Sequence, residues 1–226
     1  MNPIIYTSST CGWALRNYAV LLEKGVAFTL VPARDKQGEK TPEFLASTPL
    51  GLTPSLTIGN SNVWESRKIN EFLDEYYPTP GLMPPDPPER AEGRCWEHYC
   101  DNVLIPAVGS IMKHEENASE KLSSALDVLL GRCTIEKGFF YDSGFSLVDI
   151  VFFTLFDLMD TLTEMDLATP YEDRPSLLAW ADNIKSIPCL QGATSLPELI
   201  GDSPLQVEAD YLASYTSPSP QGVNNA

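Results

Sequence analysis

The residues of this chain best suited to chemistry stand together in one stretch, Tyr6-Thr7-Ser8-Ser9-Thr10-Cys11-Gly12-Trp13-Ala14-Leu15-Arg16. A run of hydroxyl side chains leads into a thiol. The thiol falls where a short apolar strand, Ile4-Ile5-Tyr6, gives way to a helical pattern with Leu15, Ala19 and Leu22 on one face. At a helix start the first N–H groups have no intrahelical partner, and the helix dipole favours an anion there. A cysteine in that setting is suited to act as a nucleophile. The competing reading is an inert, buried cysteine that only packs.

Other candidates are weaker. Glu65-Ser66 opens a later helix, where a carboxylate and a hydroxyl serve first as caps. Cys95 and His98 lie three apart on a helix, a spacing metals use, but no second pair accompanies them and no metal is expected. Cysteines stand at 11, 95, 100, 133 and 189, an odd count without Cys-x-x-Cys spacing, so neither a disulfide framework nor a zinc site is indicated. A reducing, cytoplasmic setting fits that usage. Met1-Asn2-Pro3 runs into a strand without the charged and apolar regions of a secretory signal.

A net charge of −16 argues against nucleic-acid and anionic-membrane partners, which require clustered Lys and Arg. The most apolar segment, Phe145 to Met159, carries Asp149 and Asp157 and is too short and too charged to span a bilayer. At 226 residues, two small domains fit.

The elements around the thiol read in order. The first helix ends at Gly25, and Val26 to Pro32 forms a second strand, which makes a β-α-β unit with parallel strands. Pro42 to Ala46 forms a short helix. Thr48-Pro49-Leu50-Gly51-Leu52-Thr53-Pro54 is a turn, and Pro54, just before a strand, is a plausible cis site. Gly59-Asn60-Ser61-Asn62 is a hairpin turn, Val63-Trp64 resumes the strand, and Glu65-Ser66 opens a helix with Ile69, Phe72, Leu73 and Tyr76 on one face.

This order resembles the thioredoxin-like domain of the cytosolic glutathione transferases, most closely the omega class. Cys11-Gly12-Trp13-Ala14-Leu15-Arg16 resembles that class's Cys-Pro-Phe-x-x-Arg, and Thr48 to Pro54 its Asn-Pro-Phe-Gly-Leu-Val-Pro. Trp64-Glu65-Ser66 resembles its Tyr-Glu-Ser, and Phe72 to Pro78 its Tyr-Leu-Asp-Glu-x-Tyr-Pro. The resemblance implies that Cys11 faces the glutathione sulfur and that the backbone of Thr53, before Pro54, pairs with the cysteinyl amide. It implies that Glu65 and Ser66 hold the γ-glutamyl end, that Lys40 meets the glycyl carboxylate, and that Trp13 lies at the site. Gly12 departs from the omega proline. Ser9-Thr10-Cys11-x-Trp13-x-x-Arg16 is also similar to the zeta class, which uses the first serine, so Ser9 rivals Cys11.

The prolines at 78, 80, 84, 85, 87 and 88 mark a stiff linker. Beyond it the pattern is helical: about 87 to 115 with a kink at Pro106, then about 119 to 136. Ser146 and Asp149 form a capping box before a buried helix, with Phe145 and Ile150 as its staple. Both that box and Pro175-Ser176-Leu177-Leu178-Ala179-Trp180 resemble the helical domain of the same family.

The expected architecture is α/β plus all-α: a thioredoxin-like glutathione-binding domain at 1–78, a linker at 79–88, an all-helical domain at 89–202, and a partly disordered tail at 203–226. The resemblance implies glutathione as co-substrate, no metal, a small hydrophobic or electrophilic second substrate, and a homodimer. Cys11 would support thiol transfer, deglutathionylation or dehydroascorbate reduction. With Ser9 or Thr10 instead, glutathione would add to an electrophile, and a third alternative is a non-enzymatic scaffold.

Overall fold

A computed structural model describes residues 2–131, 135, 138–167 and 173–215. Cys133 lies outside the described residues, and the second long helix, expected to about 136, ends at Leu130. The chain divides into two compact units, Met1–Gly81 with Ile187–Ala226, and Leu82–Ser186.

The first unit begins β1 (Ile4–Thr7), α1 (Gly12–Glu23), β2 (Phe28–Pro32), α2 (Pro42–Ser47), β3 (Ser55–Ile58), β4 (Ser61–Trp64) and α3 (Ser66–Tyr76). β1 pairs parallel to β2, with Ile4 opposite Thr29. It pairs antiparallel to β3, and β3 antiparallel to β4. This is the expected thioredoxin-like arrangement. α1 is buried from Ala14 to Glu23, which is why its sequence is apolar on most faces. It closes with Gly25 at φ +62, where Gly25 N donates to Leu22 O and Val26 N to Leu21 O. The left-handed position explains the glycine.

The second unit is helical: α4 (Pro87–Tyr99), a π-helical turn (Cys100–Leu104), α5 (Ile105–Met112), α6 (Ala118–Leu130), α7 (Leu147–Glu164) and α8 (Pro175–Lys185). Asp86 caps α4, accepting from Glu89 N at 3.3 Å. Pro106 has no N–H to offer the carbonyl four residues back. The register widens just before it, and Ile105 N donates to Cys100 O. The kink expected at Pro106 is thus taken up as a π turn. Ser146 and Asp149 form the expected capping box at the start of α7. Phe140, Phe152, Phe156 and Trp180 pack into one aromatic cluster above it, with the Phe152 and Trp180 centroids 4.8 Å apart.

The helical unit ends earlier than the expected 202. α9 (Pro188–Leu199) packs on α1 and belongs to the first unit. The fully buried Cys189, Leu190, Ala193 and Leu196 explain the attachment: they form an apolar face suited to the outer side of α1. The expected tail also differs from the structure. β5 (Leu205–Val207) pairs antiparallel to β2, with Phe28 opposite Val207, so the sheet order is β4-β3-β1-β2-β5. α10 (Ala209–Tyr215) follows, and Tyr211 Oη donates to Gly192 O at 2.7 Å. The strand caps an open sheet edge, and that saturation of backbone groups holds the segment in place.

Among the described residues, no helix is long and apolar enough to cross a membrane.

Candidate functional site

Cys11 is the N-cap residue of α1, half-buried, and its side chain makes no capping bond. Ala14 N donates to Cys11 O at 3.1 Å, so the N–H groups of Gly12 and Trp13 precede the helical ladder. The turn from β1 is tied down locally: Cys11 N donates to Ser8 O at 3.1 Å, and Thr7 Oγ1 donates to the same carbonyl at 3.4 Å. Behind it, the fully buried Tyr18 donates its phenol to Thr7 Oγ1 at 2.6 Å. Burial pushes the Tyr18 phenol well up, so it remains a donor through the physiological range.

The turn before β3 meets this thiol. The Thr53–Pro54 peptide is cis, and the Thr53 hydroxyl donates to Cys11 Sγ at 3.3 Å. Beside them lies a cavity of about 160 Å³ whose walls include Ser8, Arg34, Lys40, Phe44, Gly51 and Thr53. Gly51 has φ +59, and a Cβ there would stand 3.1 Å from Lys40 Nζ. The backbone angle calls for a glycine, and the ammonium passes close over it. Arg34 and Lys40 give this end of the cavity a positive charge suited to a carboxylate.

At the start of α3, Glu65 sits at φ +70, an angle that side-chain-bearing residues rarely adopt. Its side chain is exposed, while Ser66 is buried at the first helical position. Ile69 N donates to Glu65 O at 2.9 Å, so the N–H groups of Ser66, Arg67 and Lys68 precede the ladder. An exposed carboxylate beside the N–H groups that open a helix suits a group that carries both an ammonium and a carboxylate.

Asn17 joins these pieces. From inside α1 its amide donates to Ser66 O at 2.8 Å and to Asn70 Oδ1 at 2.6 Å. Both asparagines are buried. Arg16 is fully buried under Trp13, its guanidinium carbon 4.6 Å from the ring centroid, and Trp13 keeps 36% of its surface exposed.

The sequence candidates divide accordingly. Cys11, Thr53 and Pro54 come together, and Lys40 shares a cavity with Thr53. Glu65 and Ser66 are tied to α1 through Asn17. Ser9 is exposed in the turn after β1, and the cavity wall takes Ser8 instead. Residues the sequence reading passed over are Ser8, Arg34, Asn17 and the side chain, as opposed to the backbone, of Thr53. Only Asn17 carried a signal, as an amide on the otherwise apolar face of α1. Cys95 is exposed, Cys100 and Cys189 are buried, and all four described cysteines are free thiols. Burial and the adjacent Glu23 raise the Cys189 thiol well above its ordinary range, which makes it inert. Among the described residues, no group of three His, Cys, Asp or Glu side chains stands where it can hold a metal ion.

Comparison with known proteins identifies the family. The family model "Glutathione S-transferase, N-terminal domain" matches residues 10–76, and "Glutathione S-transferase, C-terminal domain" matches 95–188. The chain is 30% identical over 198 residues to the probable glutathione S-transferase GSTU6 of Oryza sativa subsp. japonica, covering 80% of this chain and 83% of that protein. Two solved structures share the fold at 21% identity. The tau-class glutathione S-transferase of mango, Mangifera indica, aligns with a TM-score of 0.76 over 94% of this chain and 96% of its own. Glutathione transferase Omega 3C of Trametes versicolor aligns with 0.74 over 84% and 87%. The two family models match in order along this chain and a relative at 30% identity spans four-fifths of it, so this chain belongs to the glutathione S-transferase family and is a glutathione transferase.

Proposed function

We propose that this enzyme performs omega-like thiol transfer through Cys11. The observation that carries the reading is the half-exposed Cys11 Sγ at the start of α1, paired with a donor hydroxyl. In this reading the Cys11 thiolate attacks the glutathione sulfur of a mixed disulfide and releases the partner thiolate. A second glutathione then attacks the Cys11–glutathione disulfide, leaving oxidised glutathione and free Cys11. The substrate mixed disulfide is the oxidant and one free glutathione is the reductant, the other half of oxidised glutathione coming from the substrate. Dehydroascorbate is an alternative oxidant.

The remaining residues take binding roles. Lys40 meets the glycyl carboxylate. Thr53 pairs through its backbone with the cysteinyl amide beside Pro54. Glu65 takes the γ-glutamyl ammonium, and Ser66 with its neighbouring N–H groups takes the carboxylate. Trp13 offers an exposed face to a small hydrophobic or electrophilic second substrate. A cytoplasmic homodimer completes the proposal, in line with the family.

A second reading has one observation in its favour: Ser8 Oγ and Thr10 Oγ1 lie 3.4 Å apart beside the thiol, next to Ser9. A hydroxyl from this run would hold glutathione as a thiolate for addition to an electrophile, with Cys11 a bystander. Intact mass after incubation with oxidised glutathione separates the two. The expected result is a single glutathione adduct, lost in Cys11→Ser together with dehydroascorbate reduction. Absence of a Cys11-dependent adduct, with conjugation intact in Cys11→Ser, would move the chemistry to the hydroxyl run.

A further inference from the structure

We infer that the Thr53 side chain is a catalytic group: its hydroxyl is the donor that holds the Cys11 sulfur as a thiolate, both as nucleophile and as leaving group. The inference rests on the Cys11 reading above. It goes beyond it, because the role expected for Thr53 uses only its backbone, which any residue would supply.

Thr53 Oγ1 donates to Cys11 Sγ at 3.3 Å, within the range for a hydroxyl-to-sulfur bond, and the two residues are 42 apart in sequence. The contact is therefore built by the fold and not by local geometry. Thr53 is half-buried, so the bond is partly sheltered from water. The Thr7 and Tyr18 hydroxyls behind the turn are committed elsewhere. Thr7 bonds Ser8 O, and Tyr18 bonds Thr7. Cys11 itself caps no backbone group, and the side-chain donor its sulfur meets is Thr53.

The consequence differs between the two half-reactions. In the first, the Cys11 thiolate attacks, an S–S bond to glutathione forms, and the substrate's S–S bond breaks with its electron pair on the departing thiol. Here the Thr53 hydroxyl donates to the attacking sulfur and slightly blunts its attack. In the second, the glutathione thiolate, its proton already given to solvent, attacks the glutathione sulfur held on Cys11. The new bond is that of oxidised glutathione, and the breaking bond leaves its electron pair on Cys11 Sγ. The developing charge forms where the Thr53 hydroxyl already points. A hydrogen bond to a charged acceptor is stronger than one to a neutral acceptor, so the contact tightens as charge develops.

Thr53→Val removes the hydroxyl and keeps shape and backbone, and Thr53→Ser restores the hydroxyl without the methyl. Three readouts suffice: the Cys11 alkylation rate by iodoacetamide at pH 7, kcat for a glutathionylated peptide disulfide, and KM for glutathione. Thr53→Val is expected to lower both the alkylation rate and kcat by about tenfold, with KM for glutathione changed less than about twofold. Thr53→Ser is expected to recover most of both. Wild-type alkylation and kcat in Thr53→Val would overturn the inference, as would a Thr53→Ser no better than Thr53→Val, or a raised KM with kcat unchanged. In each of those cases a persistent glutathione adduct on Cys11 leaves the thiol-transfer reading standing. No adduct on wild-type Cys11 overturns both.

Discussion

Two helix starts in this chain hold a polar side chain in the first turn and treat it in opposite ways. At α7, Asp149 is fully buried and receives four donors: Phe140 N at 2.8 Å, Ser146 N at 2.9 Å, Ser146 Oγ at 2.7 Å and Trp180 Nε1 at 2.9 Å. At α1, Cys11 caps nothing, stays half-exposed and meets one side-chain donor. The first start is closed, and every bond there ties the aromatic cluster and the loop before α7 to the helix. The second is open, and the N–H groups of Gly12 and Trp13 precede its helical ladder. A helix terminus offers the same unpaired groups in both places. Satisfying them internally makes a folding element, and leaving them for a ligand makes a site.

The sharpest way to break this contrast is to empty the closed start. Asp149→Ala leaves four buried donors, two of them on residues of the cluster, without their acceptor. Unfolding by urea should show a loss of about 3–5 kcal/mol. Cys11→Ala at the open start should cost less than about 1 kcal/mol by the same measurement, because no bond there holds two elements together except the Thr53 contact. A similar loss at both positions would show that the open start is structural too.

The closed start also titrates. Burial raises the Asp149 carboxyl to about 6, even though its four donors favour the charged form and offset part of that cost. In the unfolded chain an Asp titrates near 3.9. Between about pH 4 and 6 the folded state therefore holds a proton that the unfolded state has lost, and stability contributed by this group falls as pH rises through that window. The protonated form's advantage is complete below pH 4 and gone above pH 6. Over the window the difference in stability between wild type and Asp149→Asn should fall by about 3 kcal/mol. Taking the difference removes the other carboxylates, whose acid titration acts on both proteins alike. A flat difference would mean that the donors, not burial, set the group's behaviour.

What the sequence disclosed follows the same division between local and distant. The capping box of Ser146 and Asp149 and the glycine stop at Gly25 are short-range devices, readable within six residues. So is Cys11 at a strand-to-helix junction. The Thr53 hydroxyl on Cys11 is a long-range contact with no local signature, and only the resemblance brought the two residues together. The Asn17 bridge to Ser66 spans 49 positions and is silent for the same reason. β5 was unreadable because three residues, Leu205-Gln206-Val207, carry too little pattern. They become a strand only where β2 offers an unpaired edge. α9 falls inside the stretch expected to be helical, but which unit it joins depends on the face of α1, and no local pattern states that.

The finest test of the contrast is at Glu65, where the open region stores strain that the closed one lacks. Glu65 holds φ +70 at the start of α3. For a residue with a Cβ that angle costs about 1–3 kcal/mol. Glycine adopts it freely and loses only a few tenths as an N-cap. Glycine's extra unfolded-state entropy takes back part of the gain. Glu65→Gly should therefore raise stability by about 1 kcal/mol in urea unfolding. In the proposed site it also removes the carboxylate that meets the γ-glutamyl ammonium, so glutathione affinity by calorimetry should fall about tenfold. Glu65→Gln separates the two effects, because it keeps the Cβ and the strained angle and loses only the charge. It should weaken glutathione binding without the gain in stability. A Glu65→Gly that binds glutathione as wild type does would remove Glu65 from the site. One that gains no stability would show that the surrounding bonds, Ile69 N to Glu65 O and Asn17 to Ser66 O, already compensate the angle. The expected outcome, stability gained as binding is lost, marks a position selected for its ligand against its own fold.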